Sequence, residues 1–206
     1  MSLAYGRGQL SIPGPSIIPD RVLQAMHIPS PNIYDESYRA GSTPEPLVAL
    51  TLGILDDLKV VAGTAHHAVI YIGNGHAAWE AALVNTLQEG ELALVLSAGT
   101  FGASWGSVAE SCGVSVETLD FGLSAPIQMQ AVTERLSRDT AHRIKAILVC
   151  QTDTSSSLHT DIPALRAAID SATHPALLMV DCVASFGCSV GARLPANTRS
   201  LALSLL

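Results

Sequence analysis

The chain has 206 residues, of which 48% are hydrophobic and only 14% charged, so it can bury a large core. Its net charge of −7, without any basic block, argues against nucleic acid or an anionic membrane surface as a partner. No stretch is long and apolar enough to span a bilayer and no leader peptide is visible, so we expect a cytoplasmic protein. Ser204-Leu205-Leu206 gives only weak support to a peroxisomal location. The four cysteines lack metal-ligand spacing, and we expect no metal site.

Three parts can be distinguished along the chain. Residues 1–46 are rich in proline, which excludes long regular structure, and we interpret them as an N-terminal arm with one short helix at 19–26. Apolar residues at helical spacing predict a helix from 45 to about 62. Residues 47–188 form the second part. The third, residues 189–206, shows neither a clear strand nor a capped helix.

In the second part, strands and helices alternate five times, which indicates an α/β fold with a parallel sheet and right-handed crossovers. The predicted strands are 68–72, 92–96, 114–119, 144–150 and 177–180. The predicted helices that follow the first four strands are 77–87, 103–112, 125–136 and 162–172. The strand at 114–119 alternates apolar and polar residues, so we expect it near an edge of the sheet.

The last predicted strand runs into a single carboxylate, Asp181. Ligands of open α/β sheets bind beyond the carboxyl ends of the strands, where Asp181 would lie. An unpaired charge is costly to bury, so Asp181 either caps a helix or forms a salt bridge, or it meets a cationic nitrogen of a bound cofactor.

Other loops fall at the same edge. Gly73-Asn74-Gly75-His76 leads into a helix N-terminus, which favours an anion such as phosphate, although many such turns bind nothing. Residues 152–157 offer a carboxylate and hydroxyls that could bond a phenolate oxygen or a phosphate, or cap a helix. Trp105 could stack on a planar ring or fill the core. A nucleotide enzyme of another doubly wound type would need a G-x-G-x-x-G spacing, which is absent. Together these loops suit a phosphorylated aromatic cation.

Five motifs in order resemble those of the class V aminotransferases, within fold type I of the pyridoxal phosphate (PLP) enzymes. The resemblance is greatest to the serine–glyoxylate and alanine–glyoxylate group and covers residues 12–187. The motifs are Pro13-Gly14-Pro15-Ser16 with residues 19–26, Asn74-Gly75-His76-Ala77-Ala78-Trp79-Glu80-Ala81, Phe101-Gly102-x-x-Trp105, Asp153-Thr154-Ser155-Ser156 and Val180-Asp181-x-Val183-Ala184-Ser185-Phe186-Gly187.

The resemblance implies a PLP site made of Asn74, Gly75, His76, Trp105, Thr154, Asp181 and Val183. Asp181 would keep the pyridine nitrogen protonated, while Val183 and Trp105 would pack on opposite faces of the ring. The loop before the helix would hold the phosphate, and Thr154 would bond the 3-oxygen or its neighbourhood. Asn74 stands where the family usually has serine, and Ser157 where it usually has glycine.

The family's Schiff-base lysine, counted from Asp181, falls just beyond residue 206, and the chain's Lys59 and Lys145 are not in comparable places. We therefore expect no catalytic lysine in this chain. The resemblance implies a truncated fold-type I large domain, without strands six and seven or the C-terminal small domain, and a tail at 189–206 that is foreign to the family.

By this resemblance the chain is a transaminase-family protein that moves an amino group from serine or alanine to glyoxylate or a similar 2-oxo acid. Its substrates would be small molecules, and the full-length family forms homodimers. As a fragment it would be inactive. The alternative is a non-catalytic protein for cofactor binding or dimer interaction that keeps part of the PLP pocket.

The resemblance also implies a sheet order of 3-2-4-5-6-7-1, in which the strand at 68–72 pairs with the seventh strand. Without strands six and seven, that first strand would lose its neighbour and the strand at 177–180 would become an open apolar edge. We expect the isolated chain to aggregate or to fold only partly.

Overall fold

The computed structural model describes residues 10–12, 14, 16–30, 32, 34, 47–188 and 200–203. Most of the proline-rich arm and of the tail predicted at 189–206 lies outside the described residues. The chain divides into two units, residues 1–54 and 55–206. None of the described helices is long and apolar enough to cross a membrane.

The first unit contains the predicted short helix, α1 (Asp20–Met26), which follows Pro19 and buries none of its residues. A second helix, α2 (Leu47–Ala62), begins in this unit and ends in the other. Both agree with the sequence prediction to within two residues.

The second unit is built on a five-stranded parallel sheet. Its strands are β1 (Leu92–Ser97), β2 (Ser115–Asp120), β3 (Ile144–Cys150), β6 (Leu177–Asp181) and β7 (Ser200–Leu203), and their order is β2-β1-β3-β6-β7. The prediction that the strand now labelled β2 lies near an edge of the sheet is confirmed. A two-stranded antiparallel hairpin, β4 (Thr152–Asp153) and β5 (Leu158–His159), projects from the carboxyl end of β3.

Helices cover both faces of the sheet. They are α3 (Gly75–Thr86), α4 (Thr100–Ser111), α5 (Met129–Arg138) and α6 (Ile162–Ser171). On one face Val95, Leu148 and Met179 pack with α3 and α4, and on the other face their strand neighbours pack with α5 and α6. This alternation follows from the period of two in a strand, which sends successive side chains to opposite layers.

The start of α6 was predicted correctly, and this helix has a local cap. Asp161 accepts a hydrogen bond from Ala164 N at 2.9 Å, and α6 begins at the next residue, as the sequence indicates. In contrast, α4 begins three residues earlier than predicted, because its first N–H groups are bonded by side chains more than 50 residues away. Such partners leave no local signal.

The prediction of a strand at 68–72 is wrong. These residues have no regular structure, and Val69 and Ile72 are 82% and 99% exposed. Their composition favours a strand, but a strand forms only where a neighbour accepts and donates its backbone hydrogen bonds. In the described part of the chain no such neighbour lies beside them.

A second correction concerns the tail. Residues 200–203 form β7, which pairs in parallel with β6, although the sequence shows no clear strand there. The edge of β6 is therefore covered rather than open. If the predicted strands are counted with 68–72 as the first, then β1, β2, β3 and β6 are the second, third, fourth and fifth. Their order in the sheet is therefore 3-2-4-5, as the resemblance implies.

Candidate functional site

The carboxyl ends of β1, β3 and β6 meet at one edge of the sheet, and Asp181 is the last residue of its strand. It is in register with Cys150, the last residue of β3. Met179, two residues earlier, packs on the face covered by α3 and α4, so the period of the strand directs Asp181 to that same face.

Three protein donors hold the Asp181 carboxylate. Oδ1 accepts from the backbone N–H of Val183 at 2.7 Å. Oδ2 accepts from Trp79 Nε1 at 3.1 Å and from the thiol of Cys150 at 3.5 Å. These donors come from the turn after β6, from α3 and from β3, so the carboxylate joins three elements of the second unit.

No cation accompanies this carboxylate among the described residues. Asp181 is 7% exposed, and none of the described ion pairs includes it. Burial raises the pKa of Asp181, the hydrogen bonds from Val183, Cys150 and Trp79 oppose that rise, and the charge of Asp153 adds to it. Of the three alternatives left open by the sequence, the salt bridge is therefore not formed within the described structure.

The N-terminus of α3 offers the second half of a site. Asn74 caps the helix, since its side-chain oxygen accepts from Ala77 N at 2.9 Å and its carbonyl oxygen from Ala78 N at 3.1 Å. The N–H groups of Gly75 and His76 have no partner within the described part of the chain. Asparagine thus caps as the family's serine could, and two donors stay available for an anion.

Trp79 of α3 and Trp105 of α4 stack on each other in the core. Their rings lie 5.5 Å apart at an interplanar angle of 12°, and Trp105 is fully buried. The indole therefore has no open face, and a ligand ring could stack on it only if a neighbour moved. Phe101, in the first turn of α4, is 40% exposed and is the accessible aromatic ring nearest in sequence.

The β4–β5 hairpin is anchored to the N-terminus of α4. Asp153 is 2% exposed and accepts hydrogen bonds from Gly102 N at 3.0 Å and from the Ser155 hydroxyl at 2.6 Å. That hydroxyl also accepts from Thr100 N at 2.7 Å. A side chain at Gly99 would collide with Asp153, because an ideal Cβ there falls 2.2 Å from its Cγ. This loop therefore has the helix-capping role that the sequence left open.

The remaining predicted residues flank these contacts. Thr154 is half-buried and follows Asp153 directly. Val183 is 38% exposed, and its backbone N–H bonds Asp181. The turn that carries Val183 is tied back to the sheet, since the Ser185 hydroxyl donates to Gln151 Oε1 at 2.7 Å.

Contacts link several of the predicted residues into one region. Trp79 bonds Asp181, stacks on Trp105 and lies 4.5 Å from the ring of His76. Gly75 and Asp181 are therefore on the same face of the sheet. Within the described part of the chain, the buried carboxylate has no cation and the helix N-terminus has unpaired donors, an arrangement that fits a cation that also carries a phosphate.

Sequence reasoning missed the contacts of Trp79 and Cys150 with Asp181. Trp79 was noted only as part of the phosphate-loop motif, and Cys150 only as one of four cysteines without metal-ligand spacing. The alternation of β3 and its register with β6 could have placed Cys150 beside Asp181, but the pair Trp79–Asp181 joins residues 102 positions apart and has no local signal.

Comparisons with known proteins agree with the fold and with the family resemblance. The chain is 36% identical over 183 residues to a serine–glyoxylate aminotransferase of Methylorubrum extorquens, a match that covers 88% of this chain and 43% of that protein. It is 38% identical over 181 residues to that of Hyphomicrobium methylovorum, covering 86% and 42%. No protein-family model matches the chain.

A solved structure shares the fold. An aspartate aminotransferase of subgroup IV from Thermus thermophilus superposes with a TM-score of 0.73 at 24% identity, over 87% of this chain and 47% of that one. The chain spans about 43% of the length of the first curated relative. By sequence, the chain is similar to the serine–glyoxylate aminotransferases over most of its own length and under half of theirs.

Proposed function

We propose that this chain carries the cofactor-binding part of a PLP-dependent aminotransferase that transfers an amino group from serine or alanine to glyoxylate or a similar 2-oxo acid. The observation that carries the proposal is the buried Asp181, which lacks a cation in the described structure and lies on the same sheet face as the free N–H groups of α3. PLP, when bound, supplies an electron sink for carbanion chemistry.

The chain's own residues would divide the work. Asp181 would hold the ring nitrogen in its protonated form by charge. The N–H groups of Gly75 and His76 would bind the phosphate at the positive end of the helix dipole. Thr154 follows Asp153 in the hairpin, and Val183 bonds the Asp181 carboxylate through its N–H. We assign Thr154 a contact with the 3-oxygen and Val183 a contact with the ring. Phe101 is a better candidate than Trp105 for stacking on the ring, because Phe101 is accessible.

The positions of Lys145 and Lys59 favour a second candidate function, which is cofactor binding without covalent chemistry. Lys145 Nζ donates to the carbonyl oxygen of His142, at the amino end of β3, whereas Asp181 is in register with the carboxyl end. At about 3.3 Å per residue, Lys145 lies roughly 16 Å along the strand from Cys150, the register partner of Asp181. Lys59 is paired with Asp56 at 2.8 Å. Lys145 is too far from the proposed site to act there and Lys59 is held in an ion pair, so we expect no transamination above the background given by PLP alone.

The test is equilibrium binding of deoxypyridoxine phosphate, which is PLP without its aldehyde and cannot react with surface lysines. We expect Asp181→Asn to weaken binding about tenfold or more, because an ion pair is lost. Asp120→Asn is the matched control, since Asp120 also ends a parallel strand and accepts from the N–H two residues on, that of Gly122 at 3.0 Å. Equal affinities of the two variants would reject the proposed site.

The family resemblance implies a homodimer, and we also propose that the whole protein assembles as one. Sedimentation equilibrium of the purified protein measures this directly, and a monomer at all concentrations would contradict it.

A further inference from the structure

We propose that Trp79 and Cys150 are positioning residues, which keep the Asp181 carboxylate ionised and aimed at the ring nitrogen of the cofactor. This inference rests on the proposed function, and it assigns to two residues a task that their burial alone would not reveal. Both side chains donate to the same oxygen, Oδ2.

In the described structure, the hydrogen bonds to the Asp181 carboxylate occupy all but one of its acceptor sites. A carboxylate offers about four lone-pair sites on its two oxygens. Trp79 and Cys150 fill those of Oδ2, and Val183 N–H fills one on Oδ1. The remaining site lies on Oδ1, so the protein donors leave one direction in which Asp181 can accept from a ring N–H.

The electrostatic surroundings explain why these donors are needed. Burial and the charge of Asp153 favour the neutral form of Asp181, and hydrogen bonds from Val183, Cys150 and Trp79 favour the ionised form. The titratable groups around this carboxylate are Asp153 and the thiols of Cys150 and Cys182. Burial raises the pKa of Cys150, so its thiol stays protonated and acts as a donor.

Trp105 shows that a buried indole in this core does not need such a contact. It stacks on Trp79 and is equally shielded, yet its Nε1 has no hydrogen-bond partner in the described part of the chain. The two tryptophans therefore share their packing and differ in one feature, the bond to Asp181. That difference makes them a matched pair for a test.

The experiment compares two ligands, deoxypyridoxine phosphate and its 1-deaza analogue, in which a CH group replaces the ring nitrogen. We expect Trp79→Phe to weaken binding of the first ligand about tenfold, as expected for a lost hydrogen bond to a charged group. Binding of the deaza analogue should change by less than about twofold, since Asp181 has no ring nitrogen to meet. Trp105→Phe should produce no difference between the ligands.

Equal weakening of both ligands by Trp79→Phe, or a nitrogen-selective loss in Trp105→Phe, would overturn the inference, because packing would then explain the effect. If Trp79→Phe does not fold, Cys150→Ala removes the other donor to Oδ2 and should give a smaller loss that is again selective for the nitrogen. Absence of that selectivity would count equally against the inference.

A wild-type chain that binds neither ligand, or an Asp181→Asn variant that binds normally, would instead reject the proposed function and this inference with it.

Discussion

Ser157 has a φ of 60°, a left-handed conformation that costs a residue with a side chain about 1–2 kcal/mol. It lies in the loop of the β4–β5 hairpin, where its N–H donates to Asp153 O at 2.8 Å. The same hairpin holds Asp153 against α4, so the strain is located within the candidate site. The resemblance places glycine at this position in the family.

We therefore predict that Ser157→Gly stabilises the chain by about 0.5–1 kcal/mol, after the greater freedom of glycine in the unfolded chain is subtracted. Urea denaturation measures the change as a shift in midpoint. Ser156→Gly is the control, since Ser156 is not among the residues with positive φ and its hydroxyl bonds Asp153 O and Leu158 N. A loss of stability in Ser157→Gly would contradict the argument.

At the scale of elements, a buried pair joins the end of α5 to the start of β6. His174 Nε2 lies 3.3 Å from Asp139 Oδ2, and His174 Nδ1 accepts from Ala176 N at 3.3 Å. Because Nδ1 accepts, the proton is on Nε2 and the ring is neutral. Asp139 also accepts from Ile144 N at 2.7 Å, so the pair fixes the loop that leads into β3.

This pair predicts a dependence of stability on pH. Burial lowers the pKa of His174, although Asp139 opposes the effect and His142 and Arg135 add to it. As the pH falls below about 6.5, the unfolded histidine binds a proton before the folded one does. The free energy of unfolding should therefore fall between about pH 7 and 5, by at most about 1.4 kcal/mol per pH unit from this residue.

The comparison of His174→Gln with the wild type isolates that contribution, since glutamine does not titrate. Chemical denaturation at a series of pH values should give a shallower decline for the variant across this window. Parallel curves for the two proteins would mean that His174 is not the group responsible.

Which elements the sequence could predict depends on where their partners lie. Long apolar runs predicted β1, β3 and β6, since a strand buried on both faces is apolar at every position. The carboxylate at the end of β6 was likewise evident in the sequence. The start of α4 was missed because its caps come from the distant hairpin. The stacking role given to Trp105 rested on a motif, and a motif does not reveal whether the indole is already covered.

At the scale of the whole molecule, an apolar segment of irregular chain is exposed among the described residues, as are several apolar side chains of α2. Val69, Ile70, Tyr71 and Ile72 are between 48% and 99% exposed, and they lead directly into the loop that precedes α3. The resemblance places a strand there, paired with the seventh strand of the sheet. β7 covers the edge of β6, so the strand at 177–181 is not the open edge that was expected.

An exposed run of β-branched and aromatic residues is a template for pairing with another chain. We therefore predict that the 206-residue chain self-associates through residues 69–72 as its concentration rises. Ile72→Lys should reduce that association, measured by light scattering or sedimentation velocity, because a charge on the segment opposes pairing. Since Ile72 is 99% exposed, the substitution should change the free energy of unfolding by no more than about 0.5 kcal/mol.

Val84→Lys is the control, as Val84 is 57% exposed on α3 and outside the segment. Equal effects of the two substitutions would assign the association to general surface charge, and a chain that stays monomeric at high concentration would reject the prediction.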